Sequence, residues 1–197
     1  CQDHRAETAS LPSPEPETEE YEVYSFLLEG ENFQIKNDTD DIVVICGTTV
    51  ATPIVDRYDF GGYQAISREG SYLRGLSGKI SISEIGKDTL DDFEKKNMNS
   101  STLDYQFEIK TKYLLYSDEE RLEFRQSRDF FSLFYTRYQN SHGHMGFSRV
   151  GFNSNRTKAA VYHEWSAGNL AGGAHFILLT KVNGKWIVKK QITIWVS

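Results

Sequence analysis

The dipeptide Asn183-Gly184, set between two runs rich in apolar residues, constrains this chain more than any other feature. Asn and Gly both accept the positive φ of a two-residue type I′ turn, whose twist matches that of the strands it joins. Such a turn fixes register. Lys181 then lies across from Trp186 and Leu179 across from Val188, which places Ile177, Leu179, Trp186 and Val188 on one face with Trp186 as a core anchor. The hairpin joins the last two of four consecutive strand-like runs: MGFSRVGFN (145–153), KAAVYHEWS (158–166), GAHFILLTKV (173–182) and KWIVKKQITIWVS (185–197). The connection AGNLAGG between the middle two is longer and rich in glycine. The expectation is an α+β domain with a C-terminal four-stranded antiparallel meander and helices packed on one face. The other face carries Val150, Phe152, Val161, Trp165, Phe176, Leu178 and Ile187. It needs a cover too, from the N-terminal half, a partner or a second copy.

Upstream the pattern is weaker. Val23, Tyr24, Leu27 and Leu28 fall on one helical face, predicting a short helix from about Tyr21 that stops at Gly30. The run IVVIC at 42–46 predicts a buried strand, with Cys46 a buried structural thiol. Glycines punctuate residues 51–88, predicting irregular surface structure around a strand KISISEI at 79–85. Thr89 and Asp92 resemble a capping box that opens a helix through Phe93 to Lys96. The segment 107–117 alternates as a strand does. Ser117 and Glu120 form a second capping-box signature, opening a helix that runs to about Gln139 with Phe130, Phe131, Phe134, Tyr135 and Tyr138 as a core stripe.

Residues 1–20 differ from the rest. They contain three of the four prolines, no aromatic residue, and six acidic residues against Arg5 alone. Such a segment does not bury enough surface to offset the entropy of ordering. The expectation is a disordered tether over 1–20 and a single α+β domain over 21–197. The sequence begins at Cys1, the residue that lipoprotein processing leaves first, so a lipid on Cys1 is expected to anchor the protein to a bacterial envelope membrane, facing the periplasm or the cell surface. No run of 18 apolar residues offers another anchor. The net charge is −6, of which the first 20 residues carry −5. A nearly neutral body without a Lys/Arg run lacks the electrostatic footprint of a nucleic-acid binder.

The pairs and runs Phe134-Tyr135, Phe147 to Asn153, Asn169 to Gly172, Gly184-Lys185-Trp186 and Trp195-Val196-Ser197 form a recognisable series. Over about the last 65 residues the chain resembles a group of small, uncharacterised secreted or lipid-anchored bacterial proteins with a C-terminal FSRVGFN…GKW…WxS pattern. The resemblance implies the class and the localisation and carries no activity with it. The loop departs from the pattern, with Ala174 and His175 where a glycine and an aromatic residue are usual.

Catalytic signatures are absent: the chain has no GxSxG, P-loop, HExxH, CxxC or GxGxxG, and no cofactor is expected. His142-Gly143-His144 reads as a glycine turn after the helix rather than a metal site. Centring one hairpin at Asn155-Arg156 and the next at Asn169-Leu170 sets Arg149 opposite Tyr162 and Glu164 opposite His175. Arg149, Tyr162, Glu164 and His175 then share one face, either as a satisfied ion-pair group or as a ligand site in which Glu164 serves as a base or orients a ligand. The expected role is a non-enzymatic, envelope-anchored domain that binds an unknown protein or small molecule. The alternative is a cone-shaped, nuclear-transport-factor-like domain with a small-molecule or hydrolytic pocket.

Overall fold

A computed structural model describes residues 15–30, 41–51 and 82–197. Helix α1 (Thr18–Glu29) buries Tyr21, Val23, Tyr24, Leu27 and Leu28, the face that the spacing predicts, and Gly30 caps it with an N–H bond to the Leu27 carbonyl. Its start lies before Tyr21. Glu17 and Glu20 form a reciprocal capping box, and Glu20 is wholly buried. The expected boundary at residue 20 is therefore corrected: the ordered domain includes Glu15–Glu20, while residues 1–14, and with them Cys1, lie outside the described residues.

The domain is α+β, and among the described residues one mixed sheet has seven strands: β1 (Ile42–Cys46), β2 (Lys112–Tyr116), β3 (Ser141–Phe147), β4 (Gly151–Phe152), β5 (Lys158–Gly168), β6 (Ala171–Val182) and β7 (Lys185–Val196). The spatial order is β2-β1-β3-β5-β6-β7, with β4 beside β5. Strand β1 runs parallel to both β2 and β3, and every later pairing is antiparallel. The C-terminal meander is present as expected. Asn183 and Gly184 take φ of 51° and 77°, and Lys181 faces Trp186 while Leu179 faces Val188.

Apolar residues on both faces of each central strand force two covers. On the first face Val43, Ile45, Phe147, Val161, Ile177, Leu179 and Trp186 pack against α1 together with Leu103 and Phe107. The second face is shared. Ile85 and Phe93 from α2 (Ile82–Ile85) and α3 (Lys87–Lys96) lie over Ala160, Tyr162, Phe176 and Leu178. Phe124, Phe134 and Tyr138, in and just after α4 (Asp118–Gln126) and α5 (Phe130–Arg137), lie over Val44, Cys46 and Tyr116. Helices thus cover both faces, which corrects the expected single layer, while Ile187 at the meander's edge stays exposed.

Four local expectations change for identifiable reasons. Residues 82–85 form a helical turn rather than the end of a strand, and 52–81, which hold most of the glycine-punctuated region, lie outside the described residues. Helix α3 starts at Lys87 behind Gly86, whose φ of 92° suits glycine, so Thr89 sits buried within the helix instead of capping it. The strand expected over 107–117 is confined to Lys112–Tyr116, because Phe107 turns into the core to pack on Tyr21 at 5.2 Å. The long helix to Gln139 is two: the Ser117–Glu120 capping box opens α4, but Ser127 hydroxyl bonds back to the Phe124 carbonyl and Asp129 caps α5 through the Ser132 N–H.

Candidate functional site

The four residues expected to share a face are divided between two. Arg149 sits in the break between β3 and β4 and points into the first face, 1% exposed, with its guanidinium 2.6 Å from the Glu20 carboxylate. Glu20 also accepts from the Val150 N–H at 2.8 Å, and Asn97 holds the Arg149 backbone on both sides, so this pair is a structural joint. His175 faces His163 on the same side of the sheet. Tyr162 and Glu164 lie on the opposite face, hydrogen-bonded to each other at 2.9 Å.

Two irregularities in the ladder are the cause. The β5–β6 turn is centred at Asn169-Leu170 as expected, with Gly168 across from Ala171, but a bulge at Ala167 then sets Ser166 opposite Gly172 and Glu164 opposite Ala174. A second irregularity at Ser148–Val150 takes Arg149 out of the ladder: Ser148 bonds Tyr162 through both its N–H and its hydroxyl.

What the register does assemble is a transverse row on the second face. Tyr116 pairs with Cys46, the β1–β3 register leads from Cys46 to Gly146, Gly146 faces Glu164, Glu164 faces Ala174, and Ala174 faces Trp195. His144, opposite Val44, stands one position along β3 on the same side. The row lies where the cover of α2 and α3 gives way to that of α4 and α5. Its centre is low, because Gly146 and Ala174 flank Glu164. A Cβ on Gly146 would stand 3.2 Å from Val50 Cγ2 and 3.3 Å from Glu164 Cγ, so the glycine leaves room for the glutamate stem.

Two hydrogen-bonded arms converge on this centre. In one, Trp195 Nε1 donates to the Tyr162 hydroxyl at 3.3 Å, and that hydroxyl donates to Glu164 Oε2 at 2.9 Å. In the other, the Tyr116 hydroxyl stands 3.1 Å from His144 Nδ1 and also reaches the Cys46 thiol. Phe130 and Phe134 surround the imidazole at 5.5 and 5.6 Å, and Phe131 stacks on it at 6.2 Å. Burial raises the Glu164 pKa, opposed by the Tyr162 bond and by the positive field of Arg121 and Arg125 on α4. Burial, helped by the same two arginines, pushes His144 down to about 4. Burial holds the Tyr116 hydroxyl far above its usual range and raises Cys46 as well. The imidazole and the thiol are thus neutral at ordinary pH.

His142-Gly143-His144 is strand, not turn, and Gly143 takes a φ of 100°. His142 turns outward to Asp41 at 3.0 Å while His144 turns in. Sequence reasoning passed over His144, Tyr116 and Trp195 as site residues; their signal was the alternation of β3 and β2, hidden by Gly143 and by the short strand. Among the described residues no group of three His, Cys, Asp or Glu side chains is placed to hold a metal ion. No described helix is long and apolar enough to cross a membrane, which leaves β-barrels unaddressed. No protein-family model matches the chain, nor does any curated protein or solved structure.

Proposed function

We propose that this is a binding domain of the bacterial cell envelope, held to a membrane through a lipid on Cys1, whose ligand occupies the transverse row of the second sheet face. The observation that carries the binding site is the convergence of two arms, Trp195–Tyr162–Glu164 and Tyr116–His144, on a centre kept low by Gly146 and Ala174. Each arm fixes one polar group in place before any ligand arrives, and preorganised groups lose little entropy on binding. The acidic, proline-bearing segment ahead of α1 supports the tethered part of the reading.

The opposed shifts of Glu164 and His144 favour a second reading, acid–base chemistry in the same row, since catalytic pairs are commonly pushed apart in this way. Binding is preferred because Cys46, the thiol nucleophile within the row, is buried with its pKa raised. Thermal-shift screening of small polar molecules against the wild type and Glu164→Gln separates the readings. Hits that the variant loses and that are recovered unchanged support binding; conversion of a hit by the wild type alone supports catalysis, and equal hits on both proteins dismiss the row. Acyl labelling of a precursor bearing Cys1→Ser tests the anchor: label retained by the variant, or absent from the wild type, rejects it.

A further inference from the structure

We propose that the row takes the amide edge of a small uncharged molecule, with Glu164 Oε1 accepting from the amide N–H and His144 Nε2 donating to the amide carbonyl. The inference rests on the row being a ligand site and names the chemistry that the site selects. Its starting point is which polar atoms the two arms leave open. Tyr162 donates to Glu164 Oε2, and among the described residues no hydrogen bond reaches Oε1. The imidazole is engaged at Nδ1 by Tyr116, and no described residue bonds Nε2. One acceptor and one nitrogen therefore face the row from neighbouring strands, at diagonal positions whose spacing is about 7–8 Å in a sheet.

The Tyr116 proton is assigned to the bond with His144 Nδ1, with the neutral Cys46 thiol donating in turn to the Tyr116 oxygen. Tyr116 keeps its proton at any ordinary pH, and the single proton of the neutral imidazole then lies on Nε2. An acceptor beside a donor matches the N–H and C=O of an amide, which presents both groups on one edge. Charge selects against the alternatives. Arg121 and Arg125 act on both Glu164 and His144, and their field opposes a cation. The Glu164 carboxylate opposes an anion. A neutral ligand meets neither penalty, and Phe130 and Phe131 beside His144 offer ring faces to an apolar body attached to the amide.

Three probes of nearly one shape isolate the charge: benzamide, benzamidinium and benzoate. Titrations of the full chain are followed by NMR through the Trp195 indole N–H and the His144 ring, which report the two hydrogen-bonded arms. The expected result is that benzamide shifts both signals and binds about tenfold more tightly than either ion, because benzamidinium has no acceptor for the His144 Nε2 donor and benzoate has no donor for Glu164 Oε1. Glu164→Gln, close to isosteric, and His144→Phe, which keeps an aromatic ring beside Phe130 and Phe131, should each weaken benzamide about fivefold, the loss of one hydrogen bond. Far-ultraviolet circular dichroism confirms that a variant is folded, and retention of the loss in either folded variant is sufficient. Tightest binding by benzamidinium or by benzoate overturns the amide inference while leaving the row as a ligand site. If none of the three probes moves the Trp195 or His144 signals, the ligand-site reading falls with it.

Discussion

Arg149 and Glu20 form an ion pair of 2.6 Å with both side chains sealed from solvent, 1% and 0% exposed, across 129 residues of chain. The pair joins the first turn of α1 to the break between β3 and β4. Glu20 also closes the N-terminal cap of α1 and accepts the Val150 N–H, so one carboxylate ends a helix, neutralises a buried cation and satisfies a bulge. Around it Lys96, Arg156 and Lys181 meet Glu17 and Glu19 at the half-exposed rim. The acidic stretch is thus the domain's own first turn at its end nearest the fold.

Removing one member of this pair leaves the other charged and buried, which costs about 3–5 kcal/mol, whereas replacing both with apolar groups of similar volume is much cheaper. Glu20→Met and Arg149→Met are therefore each expected to lower the denaturant midpoint sharply, and the double variant Glu20→Met/Arg149→Met to recover most of the loss. Strict additivity of the two single changes in a double-mutant cycle would show that the side chains act independently and that α1 is held by its apolar face alone.

The β6–β7 hairpin separates two kinds of cost. Trp186 is 6% exposed, packed 5.9 Å from the Phe152 ring with the Lys181 ammonium 4.7 Å above it. Trp186→Ala should cost about 3–5 kcal/mol, and Lys185→Ala, at an exposed position, under about 0.5 kcal/mol. Gly184→Ala meets nothing within 4 Å, so its cost is conformational only: a φ of 77° disfavours alanine by about 1 kcal/mol. Chemical denaturation of the three variants should rank them in the order Trp186, Gly184, Lys185. A Gly184→Ala variant as stable as the wild type would mean that the turn relaxes out of the type I′ form.

Why the meander was legible and the site was not follows from how strand register is encoded. A two-residue Asn-Gly turn leaves one pairing open to its strands, and Lys181 does face Trp186. The turn at Asn169-Leu170 was placed equally well, yet Ala167 carries no mark that it will bulge, and one unmarked residue moved His175 to the other face from Glu164. Arg149 was misplaced by the break at Ser148–Val150, whose cause lies far away in sequence: the buried carboxylate of Glu20 and the amide of Asn97. The helix face of Tyr21 to Leu28 and the Ser117–Glu120 cap were readable because their partners lie within a turn or two. Contacts between distant segments have no local signature, and the row of Tyr116, Cys46, Gly146 and Glu164 is made only of those.

Acid should weaken the fold through its histidines. Burial holds His144 and His163 down to about 4 and about 3, against 6.5 for the free side chain. Between about pH 6.5 and 4 the unfolded chain binds protons that the folded domain refuses, so stability falls as pH falls across that window. For His144 alone the loss approaches about 3 kcal/mol at the lower end. Glu164 acts in the other direction: its raised pKa means that the folded domain takes up a proton first, which offsets part of the loss as pH falls towards its ordinary value of 4.5. Melting temperature measured from pH 7 to pH 5 should decline, and the decline should be shallower in a folded His163→Leu variant. An identical slope in that variant would show that His163 is protonated within the fold.

Gly146 offers the most direct test of how the row is built, because here a methyl group meets a crowded space on an unstrained backbone. Its φ is not positive, unlike that of Gly184, so alanine is allowed by the chain and even favoured in a strand by about 0.5–1 kcal/mol. Against that gain stands a Cβ 3.2 Å from Val50 Cγ2, 3.3 Å from Glu164 Cγ and 3.4 Å from its Oε1, each close enough that the neighbour must shift by a few tenths of an ångström. The two effects nearly cancel, and Gly146→Ala should change stability by less than about 1 kcal/mol. The carboxylate is the mobile neighbour, and it moves outward. Its pKa, raised chiefly by burial, should then fall towards 4.5, read from the Glu164 side-chain carbon shift in an NMR titration. A titration curve that coincides with that of the wild type would show that Val50, not Glu164, yields to the added methyl, and that the depth of the glutamate in the row is set elsewhere.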